Sequence, residues 1–258
     1  MDLGIAGRKA IVCASSRGLG RACAEALAAE GVHVVINGRD KDRLEKALQE
    51  FRGAGANVTA VRGDITTDEG RAALLAACPE PDVLVNNNAG PSPRNFVDID
   101  HDSWLTGIEA NMIAPLMLVR AVLPGMRKRH FGRIVNITSA MVKTPRPPMA
   151  LSSGARAGLT AVLKGQSVDC ARDNVTINNL LPYIIDTDRQ RSLAQRRVEA
   201  EGITFEQARA QQIASVAAKR MGEAREFGAI CAFLCSAQAG YISGQNINVD
   251  GGSYPGLI

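Results

Sequence analysis

The sequence predicts one α/β domain, a doubly wound parallel sheet of about seven strands with helices on both faces. Three observations predict it. Short apolar, partly β-branched runs alternate with amphipathic helical stretches nearly to the C-terminus. The first run passes through a tight glycine turn directly into a helix. No linker, repeat or low-complexity tract divides the 258 residues, enough for one large domain with a substantial core. Right-handed crossovers put helices on both sides of such a sheet, and ligands bind beyond its C-terminal strand ends.

In chain order, Ala10 to Ala14 reads as the first strand. The helix after it places Leu19, Ala22, Cys23, Ala26 and Leu27 on one face. His33 to Asn37 is a second strand, followed after Asp40 by a charged helix ending near Gly53. Asn57 to Arg62 is a third strand, leading to a helix capped by Thr67 and closed before Pro79. Asp82 to Asn86 is a fourth strand, and Trp104 to Arg129 reads as one long helical stretch despite Pro115 and Pro124. Arg133 to Thr138, Val175 to Leu181 and Asn246 to Val249 complete the strands, with helices at Leu151 to Ala171 and Glu223 to Leu234. The charged region 187–220 interrupts the rhythm after the sixth strand, where either a helical lid or a solvated helix pair would lie.

Composition narrows the function classes. A net charge of +4 with scattered basic residues, and only 4% aromatics, argue against a nucleic-acid surface. No apolar run approaches a membrane span, and the N-terminus lacks a signal pattern, so no membrane partner and a cytoplasmic setting are expected. The six cysteines (Cys13, Cys23, Cys78, Cys170, Cys231, Cys235) read as reduced small hydrophobes, and no metal-ligand set is evident.

The glycine turn carries chemistry. A strand, a turn and a helix N-terminus aim free N–H groups and the positive end of the helix dipole at one spot. Gly18 and Gly20 let a pyrophosphate approach the backbone closely. Ala14 stands where the first glycine of a Gly-x-x-x-Gly-x-Gly pattern would be, with Ser16, Arg17 and Leu19 completing the loop. A glycine-lined turn that only packs a helix on a sheet would read the same way.

Several signals coincide with one family. Over nearly its whole length the chain resembles the short-chain dehydrogenase/reductases, which have a Rossmann-type fold. Cys13-Ala-Ser-Ser-Arg-Gly-Leu-Gly20 sits at the family's glycine loop, and Asn87-Asn-Ala-Gly90 matches the motif after strand four. Gly132-Arg-Ile-Val-Asn-Ile-Thr-Ser139 matches the strand that delivers the catalytic serine, and Tyr241 to Gly252 matches the C-terminal strand at the oligomer surface. The resemblance implies that Asp64 and the neighbouring Ile65 meet the adenine, and that Asn88, Ala89 and Gly90 flank the cofactor ribose. It implies that Asn111 kinks a helix and holds a water in a proton relay. Read without it, Asn111 would be a tolerated surface residue.

Cofactor choice follows from the second strand. It ends Asn37-Gly38-Arg39 with no carboxylate until Asp40. Arg39, flanked by Arg17, can fork onto a 2′-phosphate, so NADP(H) is favoured, with NAD(H) the alternative.

The catalytic pattern departs from the family. Thirteen residues after Ser139 stands Ser152 instead of tyrosine, and four further on Arg156 instead of lysine. None of Tyr183, Tyr241 and Tyr254 is followed four residues later by lysine. A serine hydroxyl is a far weaker acid than a phenol, and arginine does not titrate in a useful range. The loop after strand six, Pro182-Tyr-Ile-Ile-Asp-Thr187, would pass the nicotinamide through Pro182, Tyr183, Ile185 and Thr187, with Tyr183 replacing the family's glycine. Tyr183 either projects a phenol into the pocket or packs outward. Lys143, His101 and His130 are further acid–base candidates without support from a pattern.

The expected function is an NADP(H)-dependent oxidoreductase for a ketone or secondary alcohol, near the 3-oxoacyl-carrier-protein reductase-like branch. Its catalytic set would be Asn111, Ser139, Ser152 and Arg156. The alternatives are an NADP-binding sensor or partner subunit without dehydrogenase chemistry, and a ligand-free scaffold. The resemblance implies a homotetramer, with a dimer next.

Overall fold

The computed structural model describes residues 2–257. One parallel sheet runs through the molecule in the order β3-β2-β1-β4-β5-β6-β7. Its strands are β1 (Lys9–Val12), β2 (His33–Gly38), β3 (Val58–Arg62), β4 (Val83–Asn86), β5 (Gly132–Ile137), β6 (Val175–Pro182) and β7 (Asn246–Val249). Strand order reverses between β1 and β4, so their C-terminal ends flank the switch point where such sheets open a crevice.

Alternate residues of each strand feed two cores. Ala10, Val12, Val34 and Ile36 face the layer formed by α1 (Gly18–Ala29), α2 (Lys41–Gly53) and α9 (Ala224–Cys235), which contributes Leu27, Phe51 and Phe227. Ile11, Cys13 and Ile134 face the opposite layer of α3 (Asp68–Ala77), α5 (Ala114–Lys128) and α6 (Ala150–Cys170), with Leu74, Leu118, Met126 and Leu159. All six cysteines are buried. Burial pushes the Cys13 thiol up to about 12, so it behaves as a packed hydrophobe.

Helix starts follow side-chain chemistry. The Asp40 carboxylate accepts from the Arg43 N–H and the Thr67 hydroxyl from the Gly70 N–H, satisfying free donors of α2 and α3. The stretch expected as one helix over Trp104 to Arg129 is α4 (His101–Ile108) joined to α5 by a π turn at Glu109–Ile113. By length and composition His101–Lys128 would pass for a membrane span, which corrects the reading that no stretch approaches one. Here its Leu118, Val119, Val122 and Met126 pack into the core. Region 187–220 folds as α7 (Asp188–Glu201) and α8 (Phe205–Ala214), parted at Gly202, whose φ of 67° ends the first helix.

Four asparagines form a ladder across the sheet. The Nδ2 of Asn86 donates to Oδ1 of Asn136 at 2.9 Å, Asn136 to Asn179 at 3.0 Å, and Asn179 to Asn246 at 2.8 Å. Each pair is also a register pair of neighbouring strands.

Candidate active site

Two turns build the floor of the crevice. The first strand ends at Val12 rather than Ala14, because Ala14 turns into the left-handed region at φ 45°. An alanine there carries strain that glycine would not. Gly18 follows at φ 61°. A Cβ on Gly20 would lie 2.6 Å from the Ala14 carbonyl oxygen and 2.7 Å from Asn87 Nδ2, so only glycine fits. Asn87 Nδ2 donates to the Ala14 oxygen at 3.2 Å and ties the two turns across the switch point.

A third side chain fixes this floor, and sequence reasoning missed it. Asn37, buried at the end of β2, accepts from the Ala14 N–H and donates to the carbonyls of Val61 and Gly63. Its N–H donates to Ser15 Oγ, which itself donates to the Val12 carbonyl. A polar residue closing an apolar strand was the available signal.

The crevice holds about 670 Å³. Lining it at one end are Ala14, Ser16, Arg17, Gly18 and Leu19 with Arg39, Asp64 and Ile65. Asn88, Ala89, Gly90, Ser139, Ser152, Arg156, Pro182, Tyr183, Ile185 and Thr187 line the rest. Gly20 and Asn111 stand outside the lining. Gly20 lies under the first turn, while Asn111 sits one layer back, where Asn88 Nδ2 donates to the neighbouring Ala110 carbonyl.

At the first end, Arg39 Nη1 meets Asp64 Oδ2 at 3.1 Å. Burial works to raise the Asp64 carboxyl, but hydrogen bonds from the Thr66 N–H and hydroxyl and from Arg39 hold it below the usual range. Arg43, 3.9 Å from Asp40, also lines the crevice.

At the other end, Asn111 is buried within the π turn, so the surface reading of it is corrected. Its amide donates to the Gly107 carbonyl, and its Oδ1 is buried without a protein partner. Ser139 leads a short 3-10 turn, its Oγ accepting from the Met141 N–H at 3.2 Å. Ser152 and Arg156 lie one turn apart on α6, both buried. Arg156 Nη1 donates to the carbonyls of Ile137 at 2.6 Å and Thr138 at 3.1 Å. Burial pushes this guanidinium down to about 10, and the Arg189 charge adds to the effect.

Tyr183 is half-buried in the crevice wall. Its phenol oxygen accepts from Arg146 Nη2 at 2.9 Å and donates to Ser215 Oγ at 3.3 Å. Lys143, His101 and His130 do not line the crevice. The first turn of α7 spans the opening: Asp188 lies 3.8 Å from Arg17 and Arg189 donates to the Pro91 carbonyl at 2.8 Å.

Comparison with known proteins identifies the family. Residues 13–254 match the family described as enoyl-(acyl carrier protein) reductase. The chain is 32% identical over 252 residues to the NADPH-dependent reductase BacG of Bacillus subtilis, covering 95% of this chain and 97% of that one. It is 31% identical over 249 residues to dehydrogenase/reductase SDR family member 4 of Bos taurus, covering 95% and 86%. Among solved structures, L-sorbose reductase from Gluconobacter frateurii, complexed with NADPH and L-sorbose, superposes with a TM-score of 0.94 at 29% identity over 100% of both chains. With its sheet order, its glycine turn at the switch point and these relatives, the chain belongs to the short-chain dehydrogenase/reductase family.

Proposed function

We propose that this chain is an NADP(H)-dependent oxidoreductase for a ketone or secondary alcohol, with a nonstandard site. The observation that carries the reading is the crevice at the switch point, floored by two turns that Asn87 ties together and ended by an exposed Arg39. The residues present fit NADPH. Gly18, at φ 61° with open space where a side chain would project, lines the cradle where a pyrophosphate belongs, and the N-terminus of α1 opens onto it. Arg39, with Arg17 and Arg43 nearby, fits a 2′-phosphate, and Asn88, Ala89 and Gly90 fit the ribose beside Arg156. When bound, the cofactor supplies or accepts the hydride. The relative BacG is named an NADPH-dependent reductase, which supports the same choice.

The chain's own residues then handle the carbonyl and the proton. The Ser139 and Ser152 hydroxyls orient the substrate oxygen, and buried Arg156 holds positive charge behind them. Asn111, with its free buried oxygen, positions the relay behind the site. The candidate for the proton that Ser152 is too weak an acid to give is Tyr183, whose O–H would turn from Ser215 Oγ towards the substrate. Arg146 on the phenol oxygen gives the departing proton's oxygen a cationic partner. Helices α7 and α8 act as the lid, bridging both walls through Asp188 and Arg189.

A screen of NADPH oxidation across ketone classes, paired with calorimetric NADPH binding, tests the reading. Tyr183→Phe is expected to cost at least about 10²-fold in turnover while NADPH affinity stays nearly constant. Full turnover in that variant removes Tyr183 from the mechanism. A second reading, an NADP-binding sensor or partner subunit without turnover, is favoured by Ser152 in the tyrosine's place and by Arg156 spending Nη1 on two backbone carbonyls. Tight NADPH binding with no ketone reduced would select it.

A homotetramer is the expected assembly. Leu105 on α4, Val162 and Val168 on α6, and Tyr241 before β7 are large exposed hydrophobics on the surfaces through which the family pairs. Light scattering at micromolar concentration reads the mass, and a monomer would refute it.

A further inference from the structure

The charges along the crevice are unevenly divided. Its carboxylates are Asp40, Asp64 and Asp188, and each lies within 4.0 Å of an arginine: Arg43, Arg39 and Arg17 respectively. Four more arginines line the same crevice: Arg146, Arg156, Arg189 and Arg196. Among the described residues none of these four is ion-paired. Arg146 is committed to the Tyr183 phenol, which leaves three cations with only backbone carbonyls or solvent as partners.

Arg189 stands between the other two and feels a like charge from each side. Burial first, and the Arg189 charge second, lower Arg156. Partial desolvation first, and the Arg196 charge second, lower Arg189. Arg189 and Arg196 keep much of their surface in solvent, which screens their repulsion, and with no carboxylate paired to them an anion placed between them would gain charge-assisted hydrogen bonds at little desolvation cost. On α7, Arg189, Leu193 and Arg196 fall at i, i+4 and i+7, one face of the helix, and all three line the crevice. The nearest acid in the preceding loop, Asp186, is taken by Arg209 at 2.8 Å and Arg191 at 3.7 Å, outside the lining.

We infer that the carbonyl substrate bears an anionic group, a carboxylate or a phosphate, held by Arg189 and Arg196 of the lid helix against the apolar side chain of Leu193. The planar guanidinium fork suits either anion bidentately. The inference rests on the reductase reading for its carbonyl, while the anion grip stands on the charge distribution alone. It makes closure and recognition one event, because the helix that covers the substrate also carries the groups that bind it.

The test uses full-length protein saturated with NADPH and three matched pairs: acetoacetate and methyl acetoacetate, 2-oxo-4-methylpentanoate and its methyl ester, and dihydroxyacetone phosphate and dihydroxyacetone. Calorimetry reads binding, and NADPH oxidation reads turnover. At least one anion is expected to bind tenfold or more tightly than its neutral partner, an advantage that shrinks as salt rises. Whether an oxo acid or the phosphate ester shows it separates the two anions. Arg196→Gln and Arg189→Gln should each bring the anion-to-neutral ratio towards one, and Arg196→Lys should restore part of it. Neutral partners bound equally well, no binding by any anion, or a ratio unmoved in both glutamine variants would overturn the inference. So would variants that weaken NADPH and leave the ratio intact, because the arginines would then serve the cofactor. Anion binding without NADPH oxidation would refute the reductase reading and leave the grip standing. Reduction of neutral ketones alone would do the reverse.

Discussion

Replacing Arg39 by alanine isolates the cofactor's 2′-phosphate from everything else in the crevice. Arg39 pairs with Asp64 at 3.1 Å, with side-chain exposures of 67% and 30%. An ion pair so open to solvent contributes at most about 1 kcal/mol, so turning the guanidinium towards a phosphate costs little. A hydrogen bond to a charged group is worth about 1.5–3 kcal/mol, and exposure puts Arg39 at the low end. The net loss of NADPH affinity in Arg39→Ala is therefore about 1–2 kcal/mol, or about 5- to 30-fold. NADH lacks the phosphate and should bind the variant almost as before. Titration calorimetry with both cofactors at low and at physiological salt measures this directly, and the NADPH advantage should fall with salt in the parent and hardly at all in the variant. Equal losses for NADH and NADPH would refute the reasoning, since Arg39 would then be holding the turn through Asp64.

Two further substitutions probe strain and the altered motif. Ala14→Gly relieves an alanine held at φ 45°, a strain of about 1–2 kcal/mol, and adds chain entropy to the unfolded state, so a net stabilisation of about 0.5–1 kcal/mol is expected in denaturant melts. A lower midpoint would show that the alanine methyl makes contacts worth more than the strain. Ser152→Tyr with Arg156→Lys restores a positioned phenol and a point charge on α6, and should raise carbonyl reduction by about 10²-fold or more. No gain in a folded, NADPH-binding double variant would favour the pure binding reading.

The sheet was legible because its signal is repetitive. Each strand is a short apolar run, and register errors of a residue or two leave the order of elements intact. Asp40 and Thr67 were readable as helix caps because capping is local chemistry. The π turn was not, since Glu109–Ile113 has no breaker residue and the distinction lies in which carbonyl each N–H meets. The same geometry turned Asn111 inward. At the crevice, the glycine turn and the missing tyrosine announced themselves by spacing. Asn37 did not, because its partners at Ala14, Val61 and Gly63 come together only when three strands align. Arg189 and Arg196 sat in a region recognisable only as charged. Their common face on α7, and the lack of a carboxylate opposite it, exist only in the folded chain.

The asparagine ladder bears on how this sheet avoids misassembly. A slip of one residue between neighbouring strands is forbidden by the alternation of faces, but a slip of two keeps every Val and Ile on its proper side. Apolar packing alone separates those two alignments weakly, because one β-branched side chain resembles another. The amides of Asn86, Asn136, Asn179 and Asn246 separate them strongly. Misalignment at either of the first two junctions would leave a donor and an acceptor buried without partners, at about 1–3 kcal/mol for each group, and at the third it would strand the buried Asn179 amide. Because the amides point head to tail, each bond polarises the next, and an error at one junction weakens the others. The ladder thus works as a proofreading device, spread over four strands, that admits one alignment of the half-sheet from β4 to β7.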